Sequence, residues 1–464
     1  MPRHRSSTRT IRPLARGLAL AGLVAAAACK DATTSTGTST PTDVTALNHI
    51  VVIYLENHSF DNTYGEYPGA VGLSAGLQGN KQLDSSGNLY TALPLTSDSK
   101  LPAGTILADA PFALGNYLSP AIPTRDLFHK YYLEQQQIDG GKMDKFVAYS
   151  DAQGLAMGYY HTSELSLSSE ALDYVLCDNF FHSAFGGSFL NHFWLIAAAT
   201  PVFPNAPAAL ISVLGNDGYP TSYANEKNMT PDGYVVNTSY TVNTPHPSTQ
   251  PTANLVPNQT MPTIGDRLND KNISWAWYSG GWNDALAGHP DPLFQFHHQP
   301  FAYFANYADG TALKTAHLKD EADFIAAAEA GTLPAVSFVK PLGMNNEHPG
   351  YADIITGEAH TEQLINAVRN GPNWKDAAII ITYDEHGGQW DHVAPPKIDR
   401  WGPGSRVPAI IISPFAKHGF IDHTQYETVS ILALIEKRFG LPALGTRDAA
   451  AANLLNAFDF TQKP

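Results

Sequence analysis

The chain has 464 residues, 43% of them hydrophobic and 15% charged, a globular balance at a length common for one elaborated α/β enzyme domain. Setting aside five arginines before position 29 (Arg3, Arg5, Arg9, Arg12 and Arg16), 43 acids face 23 bases, a net charge of −20. So acidic a chain excludes nucleic acid as a partner and electrostatic docking on anionic lipid.

Residues 1–28 read as an export signal: those arginines, then an apolar run over 18–24 that is too short to span a bilayer. Cys29 follows small residues, where a lipoprotein signal places its acylated cysteine; the alternative is an ordinary signal peptide cut nearby. Cys29 and Cys177 are the only cysteines, and a stabilising disulfide between them is not expected. Residues 29–46 form a Thr/Ser-rich tether, leaving 47–464 as the catalytic domain. The expectation is an exported protein, periplasmic or on the outer surface, touching membrane only through a lipid at Cys29, and otherwise secreted.

Within that domain, residues 49–55 form a β-branched run that reads as a strand buried on both faces, closed by Glu56-Asn57. Residues 66–124 read as a long connection and 126–137 as a helix. A second strand is expected over 209–214, followed by an excursion over 215–262 suited to substrate walls. Strands are expected over 273–278, 335–339, 378–383 and 409–412, the third of these closed by Asp384-Glu385. Helices are expected over 318–330, 361–370 and 428–439, the first and last stopped by Gly331 and Gly440. Alternating strands and helices predict a mostly parallel sheet with helices on both faces. Both acidic clusters then sit at carboxyl ends of strands, where such sheets bind ligands. Three carboxylates and an amide oxygen make a hard-oxygen set for one divalent metal ion. Taken singly, acids at strand ends also serve as loop solvators or helix caps.

Four segments resemble a bacterial phosphoesterase family that includes acid phosphatases and phospholipases C. They are Glu56-Asn57-His58-Ser59-Phe60-Asp61, Asp139-Gly140-Gly141-Lys142-Met143, the run from Asp384-Glu385-His386 to Asp391-His392, and Gly404-Ser405-Arg406-Val407-Pro408. The likeness spans roughly residues 49–442 in the family's order, and it implies an alkaline-phosphatase-like fold that hydrolyses phosphoric esters.

Ser188 follows Gly186-Gly187 and opens a helical run, so its hydroxyl would lie among unpaired N–H groups that favour alkoxide and phosphate. From spacing alone, nucleophile and plain helix cap stay open. The resemblance implies the nucleophile, with Glu56, Asn57, Ser188, Asp384 and Glu385 around the metal. It also implies that His129, one of His297 and His298, and His348 hold the phosphate, one of them protonating the leaving group. His298 is preferred for catalysis, with His297 and Asn57 as substrate contacts. His386, Asp391 and His392 read as supporting or rim groups, and Asn191 either orients the nucleophile loop or lies on a helix surface. Gly186-Gly187-Ser188, where phospholipases usually carry Gly-Pro-Thr, points to the acid-phosphatase branch and a small phosphomonoester. Phospholipase C and a non-catalytic surface lipoprotein are the alternatives.

Overall fold

The computed structural model describes residues 43–76 and 81–462. The export signal, Cys29 and the tether up to residue 42 lie outside the described residues. Among the described residues no helix is long and apolar enough to cross a membrane.

An eight-stranded sheet organises the chain. In sequence order its strands are β1 (His49–Leu55), β2 (Val175–Cys177), β3 (Trp275–Ser279), β4 (Leu318–Asp320), β5 (Val336–Lys340), β6 (Ala377–Tyr383), β7 (Ala409–Ile412) and β8 (Phe420–Asp422). In space they run β8-β2-β7-β6-β1-β5-β3-β4. Only β7 is reversed, pairing antiparallel with β6 and β2. The α/β class expected from the sequence, with a mostly parallel sheet and helices around it, is the one present. In β6 every residue is buried, and in β1 all but His49, so both faces of these central strands are covered. A buried Ile or Val contributes roughly 1.5–3 kcal/mol. Truncating fully buried Ile380 to alanine should therefore cost about 2–5 kcal/mol.

Several expected elements differ. Residues 209–214 form no strand: a single 3₁₀ turn, Ala208–Leu210, precedes Ile211, which bridges only to Met229 inside the excursion. The sheet position falls instead to β2, three residues with too little length to show a period. The helix expected over 126–137 starts later, as α1 (Tyr131–Ile138). The backbone before it stays extended, and the Asp151 carboxylate accepts the Phe128 N–H. Residues 318–320 are strand β4 because they pair with Trp277–Ser279. Asp320 then caps α3 (Glu321–Ala330) reciprocally with Asp323, and Gly331 ends that helix in the left-handed region, φ +69°. The helix expected over 361–370 is the second half of α4 (Ile354–Arg369), begun by Asp353 as cap. Residues 429–439 form α5 (Val429–Phe439), ended by Gly440.

Candidate active site

The register of the central strands sets the site. Leu55 of β1 pairs with Tyr383 of β6, so Glu56 and Asp384 leave the sheet side by side. Ile53 pairs with Val339 of β5, which brings Lys340 to the other flank of Glu56. The Lys340 ammonium lies 2.8 Å from Glu56 Oε1 and 3.4 Å from Asp384 Oδ2, with no solvent exposure. Burial alone would raise the Glu56 pKa, but His298 and Lys340 hold it well below the usual carboxylate range. Asp384 is pushed up to about 6 by burial, despite Lys340. Burial and the Asp384 charge push Glu385 well above its ordinary value.

Ser188 opens α2 (Ser188–Ala197), whose cap position belongs to Gly187 and has no side-chain cap bond. The capping role for Ser188 therefore falls away. The turn before it needs glycine: at Gly186, φ +90°, a Cβ would stand 2.6 Å from the Tyr131 nitrogen. At Gly187 a Cβ would stand 2.9 Å from the His129 carbonyl. Asn191, one turn on, is fully buried, so the helix-surface alternative is excluded. Its side chain accepts the Ala184 N–H at 3.0 Å and donates to the Ala184 and Gly187 carbonyls at 2.9 and 3.3 Å, which holds the turn.

Asn57, itself at φ +69°, is the hub. Its Oδ1 accepts from the Ser188 hydroxyl at 3.4 Å. Its amide nitrogen donates to Nε2 of His348 at 2.9 Å and of His129 at 3.3 Å. Both rings direct Nδ1–H to a backbone carbonyl, of Pro349 and Leu127 respectively. That tautomer leaves each Nε2 as an acceptor. Burial lowers the pKa of His348, against the pull of Glu56.

Ser188, Glu56, His129, His297 and His348 line one cavity of about 570 Å³, together with Asp126, Phe128, Lys130, Tyr223, Glu226 and Lys227. The histidine pair divides: His297 lies on the cavity wall, its buried Nδ1 without a hydrogen-bond partner, while His298 turns back onto the Glu56 carboxylate. Burial lowers His298 to about 4 and holds His297 well below its ordinary value.

Three residues here carried no sequence signal. Lys340 is one. His192 donates Nδ1–H to the Ser188 carbonyl at 2.7 Å and stacks on His298, centroids 5.1 Å apart. Buried Glu134 accepts the Gly186 N–H at 2.6 Å and bonds His182 and Ser405, so it braces the turn from behind.

The supporting residues expected near the acids lie off the cavity wall. His386 stacks on His182, centroids 5.4 Å apart. Asp391 and Asp61 share the buried guanidinium of Arg406 at 3.2 and 3.0 Å, and His392 bonds Asp61 at 2.6 Å. That cluster ties three of the recurring motifs together as a scaffold. The fourth, Asp139-Gly140-Gly141, is a turn, and the Met143 carbonyl just beyond it receives the Trp390 indole N–H at 2.9 Å.

A divalent cation suits this donor set. Buried Glu385 Oε1 has no hydrogen-bond partner, and Glu56, Asp384 and Glu385 oppose the single ammonium of Lys340. Fully ionised, they leave two uncompensated negative charges, which a hard cation neutralises with help from Asn57 Oδ1 and Ser188 Oγ. Nitrogen donors are also close: one atom each of Glu56, His192 and His298 lie within 4.8 Å of one another.

The model of the Phosphoesterase family matches residues 47–442. Phospholipase C B of Mycobacterium tuberculosis is 24% identical over 469 residues, covering 91% of this chain and 80% of that protein. The non-hemolytic phospholipase C of Pseudomonas aeruginosa is also 24% identical, over 89% of this chain and 57% of its own length. Among solved structures, an alkaline phosphatase superfamily protein from Vibrio parahaemolyticus gives a TM-score of 0.34 at 10% identity, over 61% of this chain and 62% of that one. At that score the likeness says nothing of this chain's chemistry. The match across 47–442 is decisive: the chain belongs to the Phosphoesterase family and is a phosphoric-ester hydrolase.

Proposed function

We propose that this hydrolase cleaves small phosphomonoesters through a covalent phosphoserine on Ser188. The observation that carries the reading is the Ser188 hydroxyl at a helix start, hydrogen-bonded to Asn57 and sharing one cavity with Glu56, His129, His297 and His348. Phosphate placed there meets the helix N-terminus and three imidazoles. Ser188 Oγ, its proton released to solvent, attacks phosphorus, the P–O bond to the leaving group breaks, and the leaving oxygen takes a proton from a cavity histidine protonated at Nε2, which solvent then reprotonates. Water then attacks the phosphoserine and restores the hydroxyl, releasing inorganic phosphate. Glu56, Asn57, Asp384, Glu385 and Ser188 would hold a divalent ion, which lowers the serine pKa and neutralises phosphate charge when bound. His129 and His348 face the cavity through Nε2, and His297 replaces His298 as the third phosphate contact. His298 acts through Glu56. Asn191 and Glu134 position the nucleophile turn.

The lysine and asparagine side chains on the cavity lining (Lys130, Lys227, Asn228, Asn237), set among Phe128, Tyr223 and Tyr351, suit a small polar ester and support the monoester reading. A second reading, phospholipase C, is favoured by the names of the relatives. Export, with or without acylation at Cys29, is proposed on the amino-terminal sequence pattern alone. Phosphate release from an aryl phosphate, compared with head-group release from micellar phosphatidylcholine, separates the two enzymes. Faster monoester cleavage, abolished in Ser188→Ala, is expected; faster diester cleavage would make the phospholipase reading the better one.

A further inference from the structure

Two ammonium groups share the cavity that holds the nucleophile. Lys130 and Lys227 both line it, whereas Asp384 and Glu385 do not. Neither has a carboxylate within 4 Å among the described residues, although acids outnumber bases in the chain by 43 to 28. Instead Lys130 Nζ donates to the Glu226 backbone carbonyl at 3.2 Å and sits 4.2 Å above the Tyr223 ring centre. Desolvation depresses that half-buried ammonium, an effect partly offset by the Glu226 charge and deepened by the like charge of Lys227.

The segment that carries Lys227 is fixed rather than loose. The Lys227 N–H donates to Ser212 Oγ at 3.0 Å, and its carbonyl accepts from Asn237 Nδ2 at 2.6 Å. Asn237 in turn accepts the N–H of Tyr131, next to Lys130, at 3.1 Å. The two lysine backbones are thus tied to each other through one asparagine. Of the acids that line the same cavity, Glu56 pairs with Lys340, Glu226 accepts the Tyr132 N–H at 2.8 Å, and half-exposed Asp126 lies 3.8 Å from His129 Nδ1. Two like charges lining one catalytic cavity, neither of them in an ion pair within 4 Å, favour an anion beside them.

We propose that Lys130 and Lys227 form a second-anion subsite, so that preferred substrates carry a second phosphate or carboxylate on the leaving group. This rests on the monoesterase reading for its catalytic consequence, but the binding it asserts is independent of catalysis. Tyr223, stacked on Phe128 at 4.1 Å between ring centres, lines the cavity against the Lys130 ammonium. A flexible leaving group a few carbons long would have its distal anion meet them while its scissile phosphate rests at Ser188.

The test is calorimetric, on the full wild-type protein, with butylphosphonate and the α,ω-bisphosphonates of propane to hexane as probes. Phosphate release from the matching diol monophosphates and bisphosphates is followed alongside. At least one bisphosphonate should bind ten or more times tighter than butylphosphonate, with the advantage shrinking in high salt. In Lys130→Met/Lys227→Met the advantage should fall below twofold, and Lys227→Arg should retain it. An advantage under threefold at every chain length, or one unchanged in the double methionine variant, overturns the subsite. Tight bisphosphonate binding without phosphate release from any ester would keep the subsite and overturn the hydrolase mechanism.

Discussion

Glu226 offers a test of the cavity wall that does not depend on catalysis. Its side chain is almost wholly buried, and burial holds its carboxyl at about 7 against an ordinary 4.5, in spite of the Tyr132 N–H and nearby Lys130. The native state therefore keeps a proton that the unfolded chain releases between pH 4.5 and 7. Stability falls across that window, and above it the cost is constant. At roughly 1.4 kcal/mol per tenfold change in proton affinity, the gap amounts to about 3 kcal/mol. Glu226→Gln removes the titration and keeps an oxygen that can accept the Tyr132 N–H. Urea unfolding of wild type and variant at pH 4.5 and pH 8 isolates the effect, because any fixed cost of the amide cancels between the two conditions. The variant should gain about 3 kcal/mol relative to wild type on going from the lower to the higher pH. A relative stability unchanged within about 1 kcal/mol would refute the buried, proton-holding carboxyl.

Lys340→Met should destabilise the metal-free protein by about 3–5 kcal/mol at neutral pH, since it strips Glu56 and Asp384 of their buried counter-charge; an unaltered urea midpoint would contradict that. Exhaustive chelation should abolish phosphate release reversibly, and Glu385→Gln should weaken metal uptake measured by elemental analysis; full turnover in verified metal-free protein would exclude the cation. Gly187→Ala pushes a methyl against the His129 carbonyl and ring, at 2.9 and 3.1 Å, and should cut kcat by up to about a hundredfold with the fold retained; wild-type kcat would show that His129 need not stay in place. Burial lowers His348 below its ordinary 6.5, so a rate that depends on its protonated form should decline from mildly acidic pH upward; a rate still rising at pH 9 would rule that out.

The strand ends that build the site were legible because β1 and β6 are long β-branched runs, each closed by acids whose charge cannot continue a buried strand. The helix start at Ser188 was legible through Gly186-Gly187, and helix ends through Gly331 and Gly440, which adopt the left-handed backbone that glycine permits. What stayed hidden depends on register. Lys340 reads as an ordinary terminal lysine until β5 is laid beside β1, when its ammonium falls between two carboxylates from different strands. His192 and Glu134 read as helix residues, because their partners, the Ser188 carbonyl and the Gly186 N–H, are backbone atoms with no sequence identity. The choice between His297 and His298 turned on the rotation of one 3₁₀ turn, which adjacent identical residues cannot encode. Strands β2 and β4, three residues each, exist through their neighbours' edges rather than their own pattern.

Acid quenching of the enzyme during turnover of a phosphorus-labelled monoester addresses the nucleophile itself. Up to one phosphoryl group per chain should be trapped, located on Ser188 by peptide mass, and absent from Ser188→Ala. That variant should fold as wild type does and lose at least about a thousandfold in rate. Label on another residue, or wild-type turnover in Ser188→Ala, would contradict a phosphoserine mechanism.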